Sequence, residues 1–254
     1  VLLPFYFQLI FKFSELISAF SELKMKSFHF QKFTINQNKN VFRVGTDAVL
    51  LGALSTVKNS NKILEVGTGT GIISLMMAQR NSLATILALE INLDAVNLAQ
   101  ENFKNSPFHD QLKVQHDDFN DFKSEEKFDL IISNPPYFDG NPSEKDIIAR
   151  QQTALTFENL IKNAAAQLSE LGIFSVIIPF EDGDFFENKC EEFGLQLHRK
   201  IIIFGIKTSK PKRLILEFSF QSAEIECKDF IIEKSPRVYS EEYLELTKDF
   251  HIFK

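Results

Sequence analysis

Between residues 62 and 178, short apolar runs alternate with longer segments in which apolar residues recur every three or four positions. The short runs are typical of buried strands, and the longer segments are typical of amphipathic helices. The runs span residues 62–66, 85–89, 112–115, 128–133 and 172–178, and the helical segments span 72–80, 93–104 and 158–171. Such alternation predicts an α/β fold, a parallel sheet with helices on both faces.

The pattern changes after residue 195. Residues 195–204 and 213–220 are two long β-type runs, and the linker between them is too short for a crossover helix. We therefore expect an antiparallel hairpin that closes the sheet. A β-like run follows at 225–233, and Ser240, followed by two acids, indicates the start of a last helix.

Residues 28–47 precede the alternating region and are mostly polar and basic, with apolar residues at positions 28, 30, 33 and 35. This spacing predicts a short strand or a hairpin. Thr46 or Asp47 is expected to cap a short helix over residues 48–56.

The chain has 254 residues, enough for one large domain or two small ones. Cys190 and Cys227 lie far apart without a Cys-x-x-Cys spacing, and the five histidines are scattered. The sequence therefore indicates neither a disulfide framework nor a zinc site, and we expect no bound metal. A reducing cytoplasm fits this cysteine content best.

Residues 1–24 are rich in Phe and Leu, but charged residues interrupt them. They therefore contain no uncharged apolar run of about 18 residues that could span a membrane. The chain begins with Val, and Met25 stands just before the first basic segment. We expect translation to begin at Met25, with 1–24 spurious and 25–254 a single domain. The alternative is a genuine helical appendage at 1–24.

The net charge of −6 is unevenly distributed. Residues 23–46 hold five basic residues and no acid, and residues 193–216 hold six basic residues and no acid. These segments carry 5 + 6 = +11, so the rest of the chain carries −6 − 11 = −17. They form either two solvated faces or the flanks of a site for a polyanion.

A glycine-rich segment, Glu65-Val-Gly67-Thr-Gly69-Thr-Gly71, joins the first predicted parallel strand to the first predicted helix. Its glycines allow a tight turn in which the backbone approaches a ligand closely. The dehydrogenase fingerprint G-x-G-x-x-G would place its third glycine at position 72, which is Ile72. The observed spacing instead suits a nucleoside ligand that lacks a pyrophosphate.

Acids also end the next two predicted strands. Glu90 lies where a carboxylate can accept both hydroxyls of a ribose. Asp118 could accept a hydrogen bond from an adenine amino group while Phe119 covers the ring. Each acid alone could equally be a helix cap or a solvated loop residue. Acids at the ends of three successive strands favour a ligand site, because parallel sheets bind ligands at that edge.

The fourth parallel strand runs directly into Asn134-Pro135-Pro136-Tyr137. Prolines lack an N–H group and fix φ near −65°, so the chain must leave the sheet at Pro135. The loop then presents a side-chain amide, carbonyls outside the sheet ladder and an aromatic face. Such a set suits a flat ring that bears an amino group. The alternative is a strand-ending turn with a surface Tyr.

These residues together resemble the class I S-adenosylmethionine-dependent methyltransferases, which have a Rossmann-like sheet of seven strands. Asn134-Pro135-Pro136-Tyr137 is similar to the catalytic motif of their amino-methylating branch. The resemblance implies that the Asn134 side chain and the Pro135 carbonyl accept the two N–H bonds of the target amine. It also implies that Tyr137 stacks on the target ring and that S-adenosylmethionine is the methyl donor.

The two ends of the chain resemble one family within this class, the bacterial tRNA (adenine-37-N6)-methyltransferases that act on a valine tRNA. The resemblance rests on Phe28-x-Phe30-x-Lys32-Phe33, on residues 43–53, and on Tyr239-Ser240-x-x-Tyr243-x-x-Leu246-Thr247-x-x-Phe250, and covers about residues 26–254. Arg43 stands where Lys is common in the family, and Ala48 where Gly is common.

This family resemblance implies that Thr46 and Asp47 lie near the methionine part of the cofactor. With the acid-free segments, it also implies a set of basic side chains that bind tRNA. This set is Lys32, Arg43, Arg150, Lys207, Lys210, Lys212 and Arg213.

Two kinds of alternative remain at this point. An enzyme of the same fold could methylate guanine N2 of ribosomal RNA, adenine N6 of DNA or a glutamine of a release factor. A catalytically inactive RNA-binding protein could also keep the fold. We expect no membrane partner and favour a monomer.

Overall fold

The computed structural model describes residues 24–41, 43–136 and 155–252. Tyr137 and Arg150 lie outside the described residues, as does the expected extension at 1–24 apart from Lys24. The boundary expected at Met25 stays a prediction.

The chain forms six helices and eleven strands in the described residues. The helices are α1 (Thr46–Leu54), α2 (Ile72–Arg80), α3 (Leu93–Lys104), α4 (Phe157–Gln167), α5 (Gly183–Glu192) and α6 (Glu241–Thr247). The strands are β1 (Lys24–His29), β2 (Thr34–Asn38), β3 (Lys62–Val66), β4 (Thr85–Glu90), β5 (Leu112–His116), β6 (Phe128–Ser133), β7 (Leu168–Pro179), β8 (Gln196–Ile206), β9 (Pro211–Ser219), β10 (Glu226–Ser235) and β11 (Val238–Tyr239).

Strands β3 to β11 form one sheet in the order β11-β10-β8-β9-β7-β6-β3-β4-β5, and β1 pairs with β2 in a separate hairpin. Strands β3 to β7 are mutually parallel, and β9 lies antiparallel between β7 and β8. The seven strands from β8 to β5 confirm the expected mostly parallel sheet with an antiparallel hairpin. In addition, β10 pairs in parallel with β8 and β11 pairs with β10, so the sheet extends beyond that hairpin.

Helices cover both faces of the sheet and bury one core on each. The first core joins α1, α2, α3 and α6 to one face, and the second joins α4 and α5 to the other. This arrangement confirms the doubly wound fold that the alternating pattern predicts. None of the helices in the described ranges is long and apolar enough to cross a membrane.

Several predicted boundaries were wrong by a few residues; for example, α1 spans Thr46–Leu54 rather than 48–56, and β7 begins at Leu168 rather than at 172. Helix α4 ends at Gln167 rather than at 171, because Leu168 is buried and already pairs with Phe128 of β6. Gly45, not Thr46 or Asp47, is the N-cap of α1. Asp47 lies in the first helical turn, where its carboxylate accepts a hydrogen bond from the Arg213 side chain at 2.8 Å.

Candidate active site

The candidate site lies at the carboxyl edge of the sheet, which we define as the edge where the parallel strands β3, β4, β5, β6 and β7 end. Four of these strands are neighbours in the order β6-β3-β4-β5. In the register of the sheet, Ser133 pairs with Val66, and Val66 pairs with Leu89. Neighbouring strands lie about 4.8 Å apart, so the loops that follow them meet at this edge.

The glycine loop after β3 has the backbone geometry that its sequence requires. Gly67, Gly69 and Gly71 have φ angles of 76°, 55° and 84°, in the left-handed region that side chains other than glycine rarely adopt. A Cβ at Gly67 or Gly69 would project into open space, with no atom of the described residues within 4 Å. A Cβ at Gly71 would instead strike the ring of Phe103. The first two glycines therefore leave room for a ligand, and the third permits packing against α3.

Glu65 lies beneath this loop and is almost completely buried. Its Oε2 accepts hydrogen bonds from the Thr68 hydroxyl at 2.7 Å, the Ser74 backbone N–H at 3.0 Å and the Ser74 hydroxyl. Its Oε1 is buried and has no hydrogen-bond partner in the described residues. Burial raises the pKa of Glu65 to about 7, although the hydrogen bonds oppose this shift.

Glu90 links the end of β4 to the glycine loop. Its Oε2 accepts the Gly69 N–H at 2.9 Å, and its Oε1 accepts the Asn92 N–H at 2.9 Å. A carboxylate has about four acceptor positions, so both oxygens retain capacity for the hydroxyls of a ribose.

Asp118 and Phe119 follow β5, one strand farther along the edge. Asp118 Oδ1 accepts hydrogen bonds from the backbone and the side chain of Asn120, at 2.8 and 2.9 Å. The Phe119 side chain is buried in the second core near Phe122 rather than openly exposed. The roles expected for Asp118 and Phe119 in binding an adenine stay predictions.

Asn134 and Pro135 follow β6, beside the glycine loop. The Ser133 hydroxyl donates to the Val66 carbonyl at 2.9 Å and so ties the end of β6 to the end of β3. Asn134 is partly buried, Pro135 is buried and Pro136 is exposed. Tyr137, the last residue of the motif, lies outside the described residues, so its stacking role stays a prediction.

Thr46 and Asp47 lie on the β8 side of the site. Asp47 pairs with Arg213 on β9, and both residues line a cleft together with Thr46. Their expected contact with the cofactor stays a prediction.

The basic residues expected to bind tRNA are separated by the fold. Lys207, Lys210 and Lys212 are exposed at the β8–β9 turn, and Arg43 is exposed just before α1. Lys32 lies in the β1–β2 turn, where its neighbour Gln31 donates to the carbonyl of His251 at 2.9 Å. This C-terminal segment is near the end of α2 and hence near the edge where the parallel strands begin. The structure therefore does not bring Lys32 together with the other basic residues.

Sequence reasoning missed Ser74, which supplies two of the three hydrogen bonds to Glu65. It lies one turn into α2, nine residues beyond Glu65, and nothing in the spacing of the glycines indicates it. The described ranges contain no group of three or more metal-ligating side chains.

These residues fit S-adenosylmethionine on three observations. The glycine positions leave open space at the loop, and Glu90 can still accept hydrogen bonds from ribose hydroxyls. Glu65 Oε1 is a buried acceptor that has no partner among the residues that the structure describes, which suits the ammonium group of the methionine part.

Comparison with known proteins identifies the domain and the fold. Residues 32–181 match the Methyltransferase small domain family. A predicted O-methyltransferase of Agrobacterium tumefaciens superposes with a TM-score of 0.62 at 19% identity, over 80% of this chain and 96% of that one. The 16S rRNA N2 G1207 methyltransferase of T. thermophilus, in complex with AdoMet and guanosine, superposes with a TM-score of 0.54 at 21% identity. The match covers 77% of this chain and 50% of that one. At these identities, the likenesses show the fold alone.

Curated relatives are much more similar. A tRNA1(Val) (adenine(37)-N6)-methyltransferase of Flavobacteriaceae bacterium (strain 3519-10) is 53% identical over 231 residues, which cover 91% of this chain and 100% of that protein. A protein of the same name from Phocaeicola vulgatus is 43% identical over 89% of this chain and 97% of its own length. With such identity over almost the whole of both relatives, this chain belongs to the tRNA1(Val) (adenine(37)-N6)-methyltransferase family.

Proposed function

We propose that this protein transfers a methyl group from S-adenosylmethionine to N6 of adenine 37, the base beside the anticodon, in tRNA1(Val). One observation carries the chemistry: the loop with Asn134 and Pro135 follows the strand directly beside the glycine loop. The amine acceptors therefore lie about one strand spacing, 4.8 Å, from the loop that suits the methyl donor. The names of the relatives at 53% and 43% identity support the tRNA adenine as acceptor.

Each residue of the site has a distinct task in this reaction. S-adenosylmethionine supplies an electrophilic methyl group when bound. Glu90 accepts hydrogen bonds from the ribose hydroxyls, and Glu65 pairs with the ammonium group of the methionine part. Asp118 accepts a hydrogen bond from the amino group of the cofactor adenine.

The target amine is held by Asn134 and Pro135. The nitrogen lone pair of an aryl amine is delocalised into its ring and is a weak nucleophile. The Asn134 side-chain oxygen and the Pro135 carbonyl each accept a hydrogen bond from one N6–H group. The nitrogen then becomes more pyramidal, and its lone pair turns toward the methyl group of the cofactor. The proton on the methylated nitrogen is acidic enough to leave to water, so the site requires no strong general base.

In this scheme, the rate enhancement comes mainly from the positioning of the target amine and the methyl donor. Holding two reactants in line can contribute about 7–11 kcal/mol, and loss of one preorganised hydrogen-bonding group typically costs about 10²–10³ in rate. Tyr137 would add base stacking of about 1–3 kcal/mol. The target base must leave its stack to reach the pocket, and an anticodon loop costs less to open than a duplex.

The test is to incubate the protein with isotopically labelled S-adenosylmethionine and unmodified tRNA1(Val), then digest the RNA and locate the label. We expect N6-methyladenosine at position 37. In parallel reactions that offer ribosomal RNA, DNA or a release factor instead of tRNA1(Val), preferential label on guanine N2, on DNA adenine or on a glutamine would refute the acceptor assignment. Tight tRNA binding without transfer to any acceptor would favour an inactive RNA-binding protein.

A pair of variants tests the role of the motif. Asn134→Ala should lower kcat by about 10²–10³ because one of the two amine acceptors is lost. Asn61→Ala removes an exposed amide at the opposite edge of the sheet and is the matched control. Equal rates for the two variants would contradict the proposed role of Asn134.

A further inference from the structure

The cleft lined by Thr46, Asp47 and Arg213 lies beside the glycine loop and the Asn134 loop, between the start of α1 and strands β8 to β11. Its volume is about 310 Å³, at the lower end of the roughly 300–1,000 Å³ typical of small-molecule sites. Ile232 supplies apolar surface, buried Ile203 lies behind the lining, and polar groups come from Lys212, Glu233 and Tyr239. It therefore combines the apolar and cationic surfaces that a nucleotide requires.

Two basic turns flank this cleft. Strands β8 and β10 are parallel, with Glu233 paired to Ile206, so the turns that follow them project side by side from the carboxyl edge. Five exposed basic side chains lie on the two turns or directly beside them: Lys207, Lys210, Lys212, Lys234 and Arg237.

The acids that line the cleft are already engaged. Asp47 Oδ2 accepts the Arg213 Nε–H at 2.8 Å, and Glu233 Oε2 accepts the Arg237 backbone N–H at 3.1 Å. The five exposed cations therefore outnumber the three nearby acids that have no ion pair among the described residues, which are Glu233 in the lining and Glu241 and Glu242 at the start of α6.

Tyr239 gives the cleft an aromatic surface. The residue is 43% exposed, and its ring stacks on Tyr243, with ring centroids 4.6 Å apart and an interplanar angle of 23°. Tyr243 is buried in the first core, so the Tyr239 ring packs against a side chain that is itself fixed by the core. A flat, held ring of this kind favours stacking of a nucleobase because little side-chain entropy is lost on binding.

We propose that this cleft is a second nucleotide site, which takes one nucleotide of the anticodon loop other than the target adenine. Its base stacks on Tyr239, and its phosphates face the two basic turns. This inference rests on the proposed function, because it assigns the cleft to the same RNA. The order β8-β9-β7-β6 places β8 three strand spacings, about 14 Å, from the strand that carries Asn134. One RNA loop can therefore reach both sites.

The sheet order also argues against the cofactor as the occupant. Strand β3, which carries the glycine loop, lies four spacings from β8, or about 19 Å. A cofactor held at Gly67, Gly69 and Glu90 would have to cross three intervening strands to fill the part of the cleft between β8 and β10, which is distinct from the contact expected at Thr46 and Asp47 of α1.

The experiment uses the full chain and tRNA1(Val) in which 2-aminopurine replaces, in turn, each nucleotide that flanks the target adenine. Stacking quenches 2-aminopurine fluorescence. We expect quenching on binding to the wild-type protein at one flanking position. Tyr239→Ala should abolish this quenching and weaken tRNA binding about tenfold, within the range for one stacked base. Tyr239→Phe should retain both.

A second pair of variants tests the turns without altering the aromatic ring. Arg237 has a φ of 66°, so Asn, which tolerates the left-handed region, is its suitable replacement. The double variant Lys234→Ala and Arg237→Asn should make the plot of the logarithm of the tRNA association constant against the logarithm of the salt concentration less steep. The magnitude of the slope should fall by about 1.4, the value for two contacts to single-stranded phosphates. Lys113→Ala, an exposed change on the far edge strand β5, should leave the slope unchanged.

The outcomes separate the two proposals because quenching is read without methyl transfer. If both flanking probes behave identically with wild type and Tyr239→Ala, and the turn variant keeps the wild-type salt slope, the second site is refuted even if adenine 37 is methylated. If quenching depends on Tyr239 but the methyl group is found on another acceptor, the cleft is supported as an RNA site and the proposed reaction fails.

Discussion

Buried Glu65 should make the stability of the protein fall as the pH rises. Desolvation raises its pKa from 4.5 to about 7, and the charge of Glu90 adds to this effect. Below pH 4.5 the carboxyl group is protonated in both folded and unfolded chains, so it contributes no pH dependence. Above this pH the unfolded chain loses the proton first, and the folded state is destabilised until the pH passes 7.

The magnitude follows from the shift. A difference of 2.5 pKa units corresponds to about 3 kcal/mol over the whole window, of which about 2–3 kcal/mol falls between pH 5 and pH 8. Glu65→Gln keeps the shape of the side chain and an acceptor for Ser74, but it removes the titration. The buried NH2 group of the replacement adds a cost of about 1–3 kcal/mol that does not depend on pH. The pH slope therefore isolates the ionisation.

The assay is urea unfolding of wild type and Glu65→Gln at intervals from pH 5 to pH 8. The difference in free energy of unfolding should change by about 2–3 kcal/mol in favour of the variant. Glu125→Gln makes the same chemical change at an exposed position and is the matched control. Saturating S-adenosylmethionine should flatten the wild-type slope, because an ammonium group beside Glu65 favours the ionised form. Parallel curves for wild type and Glu65→Gln without ligand would refute the reasoning.

Three further predictions follow from specific contacts. Gly69→Ala should weaken S-adenosylmethionine binding at least tenfold in calorimetry, because the added Cβ enters the open space of the loop. Gly194→Ala is the control: its φ of 79° gives a similar backbone strain, but it should leave the affinity for S-adenosylmethionine unchanged. Glu217→Gln should lower the free energy of unfolding by about 3 kcal/mol in urea titrations, since buried Glu217 loses the negative charge that lies 3.7 Å from the Arg199 guanidinium. Asn102→Ala should expose the β1–β2 hairpin to faster hydrogen exchange, because Asn102 Oδ1 accepts a backbone N–H of β2 at 2.8 Å.

Much of the fold could be predicted because its signals are local. The bounds of β3, β6, α2 and α3 agree with the predicted segments, since each depends on the spacing of apolar residues within one short stretch. The pairing of β10 with β8 could not be predicted in this way. It joins segments about thirty residues apart, and the β-like pattern of residues 225–233 does not specify a partner.

The candidate site was predicted as far as strand ends determine it. Gly67, Glu90 and Asn134 meet at one edge because parallel strands that alternate with helices end on the same side of a sheet. The burial of Glu65 and the contribution of Ser74 depend on how α2 packs over the loop, and sequence spacing does not contain that information. Lys234 and Arg237 were missed because their proximity to the β8–β9 turn results from the β10 pairing.

The distribution of charge shows why a basic run in a sequence predicts a polyanion site only in part. Arg199 and Lys200 belong to the acid-free segment 193–216, yet both lie within β8. Folding brings acids from other elements to them: Arg199 lies 3.7 Å from Glu217 of β9, and Lys200 lies 2.6 Å from Glu187 of α5. Their charges are therefore compensated inside the fold. The lysines at the β8–β9 turn have no ion pair with an acid of the described residues, because the turn projects beyond the strands that carry the acids. An exposed cationic surface thus remains where the chain leaves the sheet, and the turn between β10 and β11 adds Arg237 to it without any run of basic residues in the sequence, which is the charge that the proposed RNA site requires.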